Sequence, residues 1–180
     1  KKDGLHGGKG VLVQGIDFNN INEIEDSFKN IEENILIEEK LEGEEFSLMS
    51  ISDGNGNVAH FPPIKDYKRL NNNDLGPNTG SMGCLIDKNN TLPFLNDDDI
   101  TLGETINTKV IHKLNELGEK HNCKIGYRGI LYGSYIKTND GKIYIIEFNS
   151  RFGDPEGIIA LNVLKSNFFN ICNKIVNGSL

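Results

Sequence analysis

Apolar residues recur along this chain at two spacings, and the switches between them lay out the expected elements. Val11–Val13 is a short apolar run that predicts a strand. Asn20 is placed to cap a helix from Ile21 to about Asn30, with Ile21, Ile24, Phe28 and Ile31 on one stripe. Ile35–Ile37 reads as a buried strand and Phe46–Ile51 as another. Asp53-Gly54-Asn55-Gly56-Asn57 predicts a hairpin turn leading to a partner strand, Val58–Phe61. Asp74 to Gly83 is rich in turn formers and long for a connection, so it is expected as a loop that covers a site. Asp97–Asp99 mark a helix start, and Ile106, Val110, Leu114 and Leu117 form an expected core stripe running to about Lys120. Ile130–Lys137 and Lys142–Asn149 read as strands joined by a turn at Thr138–Gly141. Ile143, Ile145 and Ile146 around Tyr144 give the Lys142–Asn149 strand a buried pattern. Helices are expected over 156–164 and 166–177, the latter with Phe168, Phe169, Cys172, Ile175 and Val176 as its apolar face. No internal repeat is visible.

The 180 residues suffice for one sizeable core in one or two lobes. Hydrophobic residues make up 37% and charged residues 25%, an ordinary globular composition. The net charge of −7 argues against a general nucleic-acid or membrane-surface binder, which needs a basic face, but leaves room for a local basic pocket. No apolar run approaches the roughly 18 residues that span a bilayer, and no signal peptide is visible. Cys84, Cys123 and Cys172 are odd in number and lack metal-ligand spacing, which points to a reduced, cytoplasmic setting. The four histidines show no ligand spacing either, and His112 reads as a surface residue. Lys1-Lys2-Asp3-Gly4 begins without Met and without a strand ahead of the glycine-rich loop, so the chain reads as part of a longer protein.

The candidate chemistry concentrates in K-I-Y-I-I-E-F-N-S-R-F-G-D-P-E, Lys142 to Glu156. Glu147 and Asn149 are two apart on a strand and therefore share a face. A carboxylate and an amide oxygen side by side suit a hard cation such as magnesium. Arg151 follows at the same alternation and can grip a phosphate or carboxylate. A strand end with a solvated charge cluster is the plainer reading. Asp3 to Gly10 is a glycine-rich loop with one lysine, suited to an anion or simply to a turn; it lacks Walker A spacing. The acidic run Glu38 to Glu45 is a solvated turn or a hinge that reads a base edge. Lys65 to Arg69 is a basic cluster in an acidic protein, an anion site or a solvated loop.

Taken together, K-x-D-G-L-x-x-G-K-G-V at Lys1–Val11, I-E-E-x-L-x-G-E-E at Ile37–Glu45, D-x-K-R at Asp66–Arg69, G-P-N-T-G-x-M-G at Gly76–Gly83 and I-E-F-N-x-R-F-G-D-P-E at Ile146–Glu156 resemble the ATP-grasp superfamily. Within it they are similar to the glycinamide ribonucleotide synthetase family. The last two motifs together are highly specific, and the likeness runs along essentially the whole chain. It implies an α+β fold of two lobes with antiparallel sheets and flanking helices, with ATP in the cleft between them. Residues 1–41 would belong to a small lobe missing its first strand, and 42–180 to the larger lobe with the metal and substrate site. It implies a ligase that joins glycine to 5-phosphoribosylamine through an acyl phosphate, with ATP and magnesium (or manganese). The family also has an N-terminal and a C-terminal domain, which are missing from this stretch.

The resemblance assigns roles to individual residues. Lys1 would touch the ATP phosphates, and Gly7, Gly8, Lys9 and Gly10 would close over them. Glu38 would accept from the adenine amino group, with the backbone near Glu39 and Leu41 reading the ring, and Glu45 would hold the ribose hydroxyls. Glu147 and Asn149 match metal ligands. Arg151 would steady the transferred phosphoryl group, with Lys9 also catalytic, and Asp154 would orient the glycine ammonium. Asp66, Lys68, Arg69 and the loop of Asn78, Thr79, Gly80, Met82 and Gly83 would line the amine-substrate side. Four features depart from the family pattern: His6 and Gly7 stand for alanines, Lys65 and Tyr67 alter the usual Q-D-H-K-R, Ser81 replaces glycine, and Cys84-Leu85-Ile86 replaces A-Y-S-P. Most of these lie beside the amine substrate. Two other readings therefore stand beside the first: an ATP-grasp carboxylate–amine ligase with another acceptor, and a non-catalytic nucleotide-binding relative.

Overall fold

The computed structural model describes residues 11–28, 34–73, 75–123 and 125–180. The chain divides into two compact units, residues 1–42 and 43–180. The predicted glycine-rich loop with Lys1, Gly7, Gly8, Lys9 and Gly10 lies outside the described residues, as do Asn30, Ile31 and Asp74.

In the first unit, Val11–Val13 is a turn start rather than a strand. The Val13 carbonyl accepts from Ile16 N and Asp17 N, and Val13 N donates to the Asp17 carboxylate at 2.8 Å. Gly15, with φ +82°, turns the chain there, so local hydrogen bonds win over extension. Helix α1 spans Ile21–Phe28. Asn20 caps it as expected, its side chain accepting from Asn22 N. Ile35–Ile37 forms no named strand, and Ile37 is 90% exposed. An apolar triplet signals a capacity for burial, and here none of the three reaches the core, Ile35 being 40% and Leu36 46% exposed.

The second unit is built on a four-stranded antiparallel sheet of order β2-β1-β7-β8. Its strands are β1 (Gly43–Asp53), β2 (Val58–His60), β7 (Arg128–Thr138) and β8 (Ile143–Asn149). The short strands β3 (Lys65–Asp66) and β6 (Cys84–Leu85) pair with each other, as do β4 (Arg69–Asn71) and β5 (Leu75–Asn78). Of the expected covering loop, Leu75–Asn78 is strand β5, while residues 79–83 run as a loop to β6. Strands β1 and β7 pair without interruption from Gly43↔Thr138 to Asp53↔Arg128 and are buried through their middle. The predicted buried strand β8 lies instead at the sheet edge, with Tyr144, Ile145 and Ile146 exposed.

Alternation along β1 sorts the two faces. Phe46 and Leu48 face helix α2 (Asp97–Lys120), joined by Tyr135, Leu92 and Leu95. Met49 and Ile51 face the opposite way, with Phe61, Ile64, Tyr132 and Ala160, against α3 (Glu156–Val163) and α4 (Phe168–Asn177). Helix α2 starts at Asn96, which exchanges capping hydrogen bonds with Asp99. Its fully buried face is Asp99, Gly103, Asn107 and Ile111; of the predicted stripe, Ile106 packs against the core and Val110 is half-buried, while Leu114 and Leu117 are exposed. A hydrogen-bonded polar residue holds that face down. Asn107, fully buried, donates to the Leu48 carbonyl at 2.9 Å and to Ser50 Oγ at 2.8 Å, and accepts from the Tyr135 hydroxyl. Helix α4 begins two residues later than expected because Asn167 is its cap. Phe168, Phe169 and Val176 of its predicted apolar face are exposed, while Ile171 and Ile175 pack inward.

Asp53 ties the β1–β2 turn to the far end of α4. Fully buried, its carboxylate accepts from Asn55 N, Asn57 N, Asn57 Nδ2 and Leu180 N. Burial works against its charge, but these hydrogen bonds outweigh it and hold the carboxyl below its usual range. A group with a depressed folded value contributes stability above its unfolded value and loses it on acidification. Asp53→Ala should therefore cost about 2 kcal/mol at neutral pH. The gap to wild type should close as pH falls below about 4. Urea unfolding of both proteins across pH checks this.

Candidate active site

The site face of the sheet is the one opposite α2. On β1 it carries Glu45 and Ser47, and on β7 Tyr132 and Ser134. Register then decides what β8 adds. From the turn, Lys137↔Ile143 and Tyr135↔Ile145 pair regularly, which keeps Ile143 and Ile145 on the α2 side. A bulge between Ser134 and Tyr135 inserts Ile146, so Ser134 pairs with Glu147 and Tyr132 with Asn149. Without it, Glu147 would oppose Gly133 and point into the α2 core. With it, Glu147 and Asn149 join the site face and Phe148 turns to the core, edge-on to Tyr135.

The sequence pairing of Glu147 with Asn149 is present in space. Asn149 Nδ2 donates to Glu147 Oε1 at 3.0 Å, which leaves the amide oxygen and the second carboxylate oxygen free of that bond. Among the described residues no cluster of three or more His, Cys, Asp or Glu is built to hold a metal. Two adjacent oxygen donors nonetheless fit a magnesium-like ion that takes its remaining ligands from phosphates and water. Arg151 does not continue the alternation, because β8 ends at Asn149. Its Nη1 donates to the Phe152 carbonyl at 2.9 Å and the side chain is exposed. Asp154 is exposed beside it, before the cis bond to Pro155.

The two motifs assigned to the amine side are brought together. Thr79 N and Oγ1 both donate to the Lys68 carbonyl, Met82 N donates to the Tyr67 carbonyl, and Tyr67 N to the Gly83 carbonyl. Arg69 sits opposite Asn78, and its Nη1 donates to the Gly76 carbonyl at 3.0 Å. Gly80 and Met82 are on the same loop, with Met82 exposed. Ser81, one of the departures, donates to Asp66 Oδ1 at 2.6 Å. Lys65, another, pairs with Glu44 at 2.6 Å and stands 5.7 Å from the Tyr67 ring centre. The basic cluster is thus part strand and part loop, Tyr67 and Lys68 lying between β3 and β4, and both its lysines are paired with glutamates of β1.

Lys68 is the central cation. Its Nζ lies 3.2 Å from Glu45 Oε2, and the two residues share a cavity of about 10 Å³ with Ser47, Asp66, Tyr132 and Ser134. Burial pulls the titration of the ammonium down, but Glu45, Asp66 and Glu156 outweigh it and raise it above the usual lysine range. The Asp66 carboxyl is pushed up, first by burial and then by Glu156 and Glu45, with Ser81 and Lys68 pulling it down. Tyr132, Ser134 and the buried Glu156 were not singled out from sequence. Strand alternation placed Tyr132 and Ser134 on one face, but only the pairing partners identify which face it is. In the first unit, Glu38 and Glu39 are exposed and Leu41 is half-buried.

Comparison with known proteins gives this arrangement a family. The chain is 40% identical over its full length to a phosphoribosylamine–glycine ligase of Methanocella arvoryzae and 39% identical to that of Methanococcus maripaludis, covering 40% of each. A solved phosphoribosylamine–glycine ligase from Thermotoga maritima matches the whole chain with a TM-score of 0.77 at 30% identity, over 44% of its own length. An N5-carboxyaminoimidazole synthetase from Staphylococcus aureus, solved with ADP, shares the fold with a TM-score of 0.59 over 93% of this chain and 39% of its own at 17% identity. The chain spans about two fifths of the length of its curated relatives, and no described helix is long and apolar enough to cross a membrane. The α+β fold is that of ATP-grasp proteins. The family model for the phosphoribosylglycinamide synthetase ATP-grasp (A) domain matches residues 1–157, and the chain belongs to that family.

Proposed function

We propose that this chain is the ATP-grasp portion of a cytoplasmic ligase that joins glycine to 5-phosphoribosylamine, converting ATP to ADP and phosphate. The observation that carries the reading is the sheet face that carries Glu45, Glu147 and Asn149, with Lys68 and Asp66 gathered beside Glu45, in a chain that belongs to this family. Residues 1–41 would supply the small lobe and 42–180 the larger one. Glu147 and Asn149 would hold magnesium or manganese, which when bound neutralises phosphate charge. Arg151 keeps guanidinium donors beyond the one on Phe152 and would steady the transferred phosphoryl group. Lys1, Gly7, Gly8, Lys9 and Gly10 would enclose the ATP phosphates. Glu38, Glu39 and Leu41 would read adenine. Glu45 uses Oε2 for Lys68 and keeps Oε1 for a ribose hydroxyl. Asp154 would orient the glycine ammonium, which leaves its carboxylate to be phosphorylated. The amine then displaces phosphate at the acyl carbon. Asp66, Lys68, Arg69 and the Asn78–Gly83 loop would seat the phosphorylated amine, with its positioning supplying most of the catalysis.

The test uses the complete parent protein. ADP release with Mg-ATP should require both glycine and phosphoribosylamine. Release with a different amine instead would move the acceptor, in keeping with the departures at Lys65, Tyr67 and Ser81. ATP binding with no release under any pairing would sink the ligase reading. Glu147→Gln should lower turnover by about 100-fold or more by removing a ligand charge. Near-normal steady-state turnover in that variant would remove Glu147 from the metal site. Arg69→Ala should raise KM for phosphoribosylamine by about tenfold while KM for ATP moves less than about twofold. Equal shifts in both constants would place Arg69 away from the amine.

A further inference from the structure

Glu156 has no assigned role, yet it is the most deeply buried acidic side chain near the site, only 3% exposed. It sits in the first turn of α3, directly after the turn that carries Arg151 and Asp154. The Tyr132 hydroxyl donates to its Oε1 at 2.6 Å, and Tyr132 lies opposite Asn149 across the strand pair. The turn is fitted closely to this pair. A Cβ added at Gly153 would lie 2.5 Å from Glu156 Oε2 and 2.7 Å from the Tyr132 ring. Gly157 N donates back to the Gly153 carbonyl, and Gly153 N points at the Met49 sulfur. No described lysine or arginine forms an ion pair with Glu156, so its hold is the Tyr132 hydroxyl and the start of α3. Its charge nevertheless acts on Lys68 and on the paired Asp66 and Cys84 of β3 and β6.

We propose that Glu156 is a positioning residue: clasped by Tyr132, it fixes the Arg151–Pro155 turn against the sheet and, through Tyr132, which lines one small cavity with Lys68, the stance of Lys68. The proposal rests on the ligase reading for its kinetic consequence, but not for its structural one. Glu156 touches no reacting atom, so removing its charge alters the placing of groups that do. Glu156→Gln preserves shape and can still accept from Tyr132. Tyr132→Phe keeps the charge and removes the clasp.

Both variants are made in the complete parent protein. Glu156→Gln should raise KM for phosphoribosylamine by about tenfold with KM for ATP changed less than about twofold, and should leave the melting temperature within a few degrees. A second readout is independent of activity. The Cys84 thiol is held above its usual range first by burial, then by the charges of Glu156 and Asp66. Neutralising Glu156 should shift the pH profile of Cys84 alkylation, followed on its own peptide by mass spectrometry, to lower pH. A lowered melting temperature with unmoved kinetic constants would overturn the proposal, leaving Glu156 a stabilising residue only. So would an unmoved Cys84 profile, whatever the activity. If wild type shows no glycine-dependent release, the ligase reading fails, and the Cys84 profile alone then decides whether the charge acts on this site. Should Glu156→Gln not fold, the same KM split in Tyr132→Phe supports the clasp, and its absence overturns it.

Discussion

One extra residue in an edge strand decides where the acidic and amide groups of β8 point. The side-chain period of a strand is two, so a single inserted residue exchanges the faces of everything beyond it. Ile146 is that residue. Before it, β8 packs Ile143 against the α2 layer; after it, Phe148 takes the packing role and Glu147 and Asn149 are released to the other side. The same strand thus contributes to the core at one end and to the site at the other. The edge position makes this tolerable, because among the described residues β8 has a partner on one side only and the bulge disturbs no second ladder.

That division needs a firm reference surface, which β1 and β7 provide. Their long uninterrupted pairing fixes Glu45, Ser47, Tyr132 and Ser134 on one face and Phe46, Leu48 and Tyr135 on the other. The α2 side is pinned by Asn107 as well as by apolar contact. An added Cβ at Gly133 would stand 2.6 Å from both Asn107 Oδ1 and the Tyr135 ring, so the absence of a side chain there is what admits the network. A buried amide with its hydrogen bonds made specifies one seating of the helix, where leucine alone would permit several.

These features explain what could be read from the residues and what could not. Turns were legible because Asp53–Asn57 and Thr138–Gly141 carry their own chemistry, and so were the start of α2 and the cap at Asn20. Glu147 and Asn149 were legible as a pair because two-residue spacing is local. Burial was not, since it depends on partners distant in sequence: Ile35–Ile37 and Ile143–Ile146 have the composition of a core yet are largely exposed, and Asn107 has that of a surface yet is fully buried. Family motifs gathered Asp66–Arg69 with Asn78–Gly83, but the backbone bonds that join them, and the Ser81–Asp66 bond at a departing position, emerge only from the fold.

The charge balance around Lys68 bears on what the site can hold. Glu45, Asp66 and Glu156 all act on this one ammonium, and Glu147 stands on the same sheet face. Lys68 is already paired with Glu45, and the surplus around it is negative, as in the chain as a whole. A nucleotide polyphosphate approaching such a face alone would meet repulsion. On the ligase reading, a divalent cation at Glu147 and Asn149, together with the exposed Arg151, would reverse that sign locally. The carboxylates that disfavour free phosphate would at the same time favour the ammonium of glycine and the amine of the second substrate. Acidic surroundings with a metal would then select against the nucleotide by itself and for the assembled set of reactants.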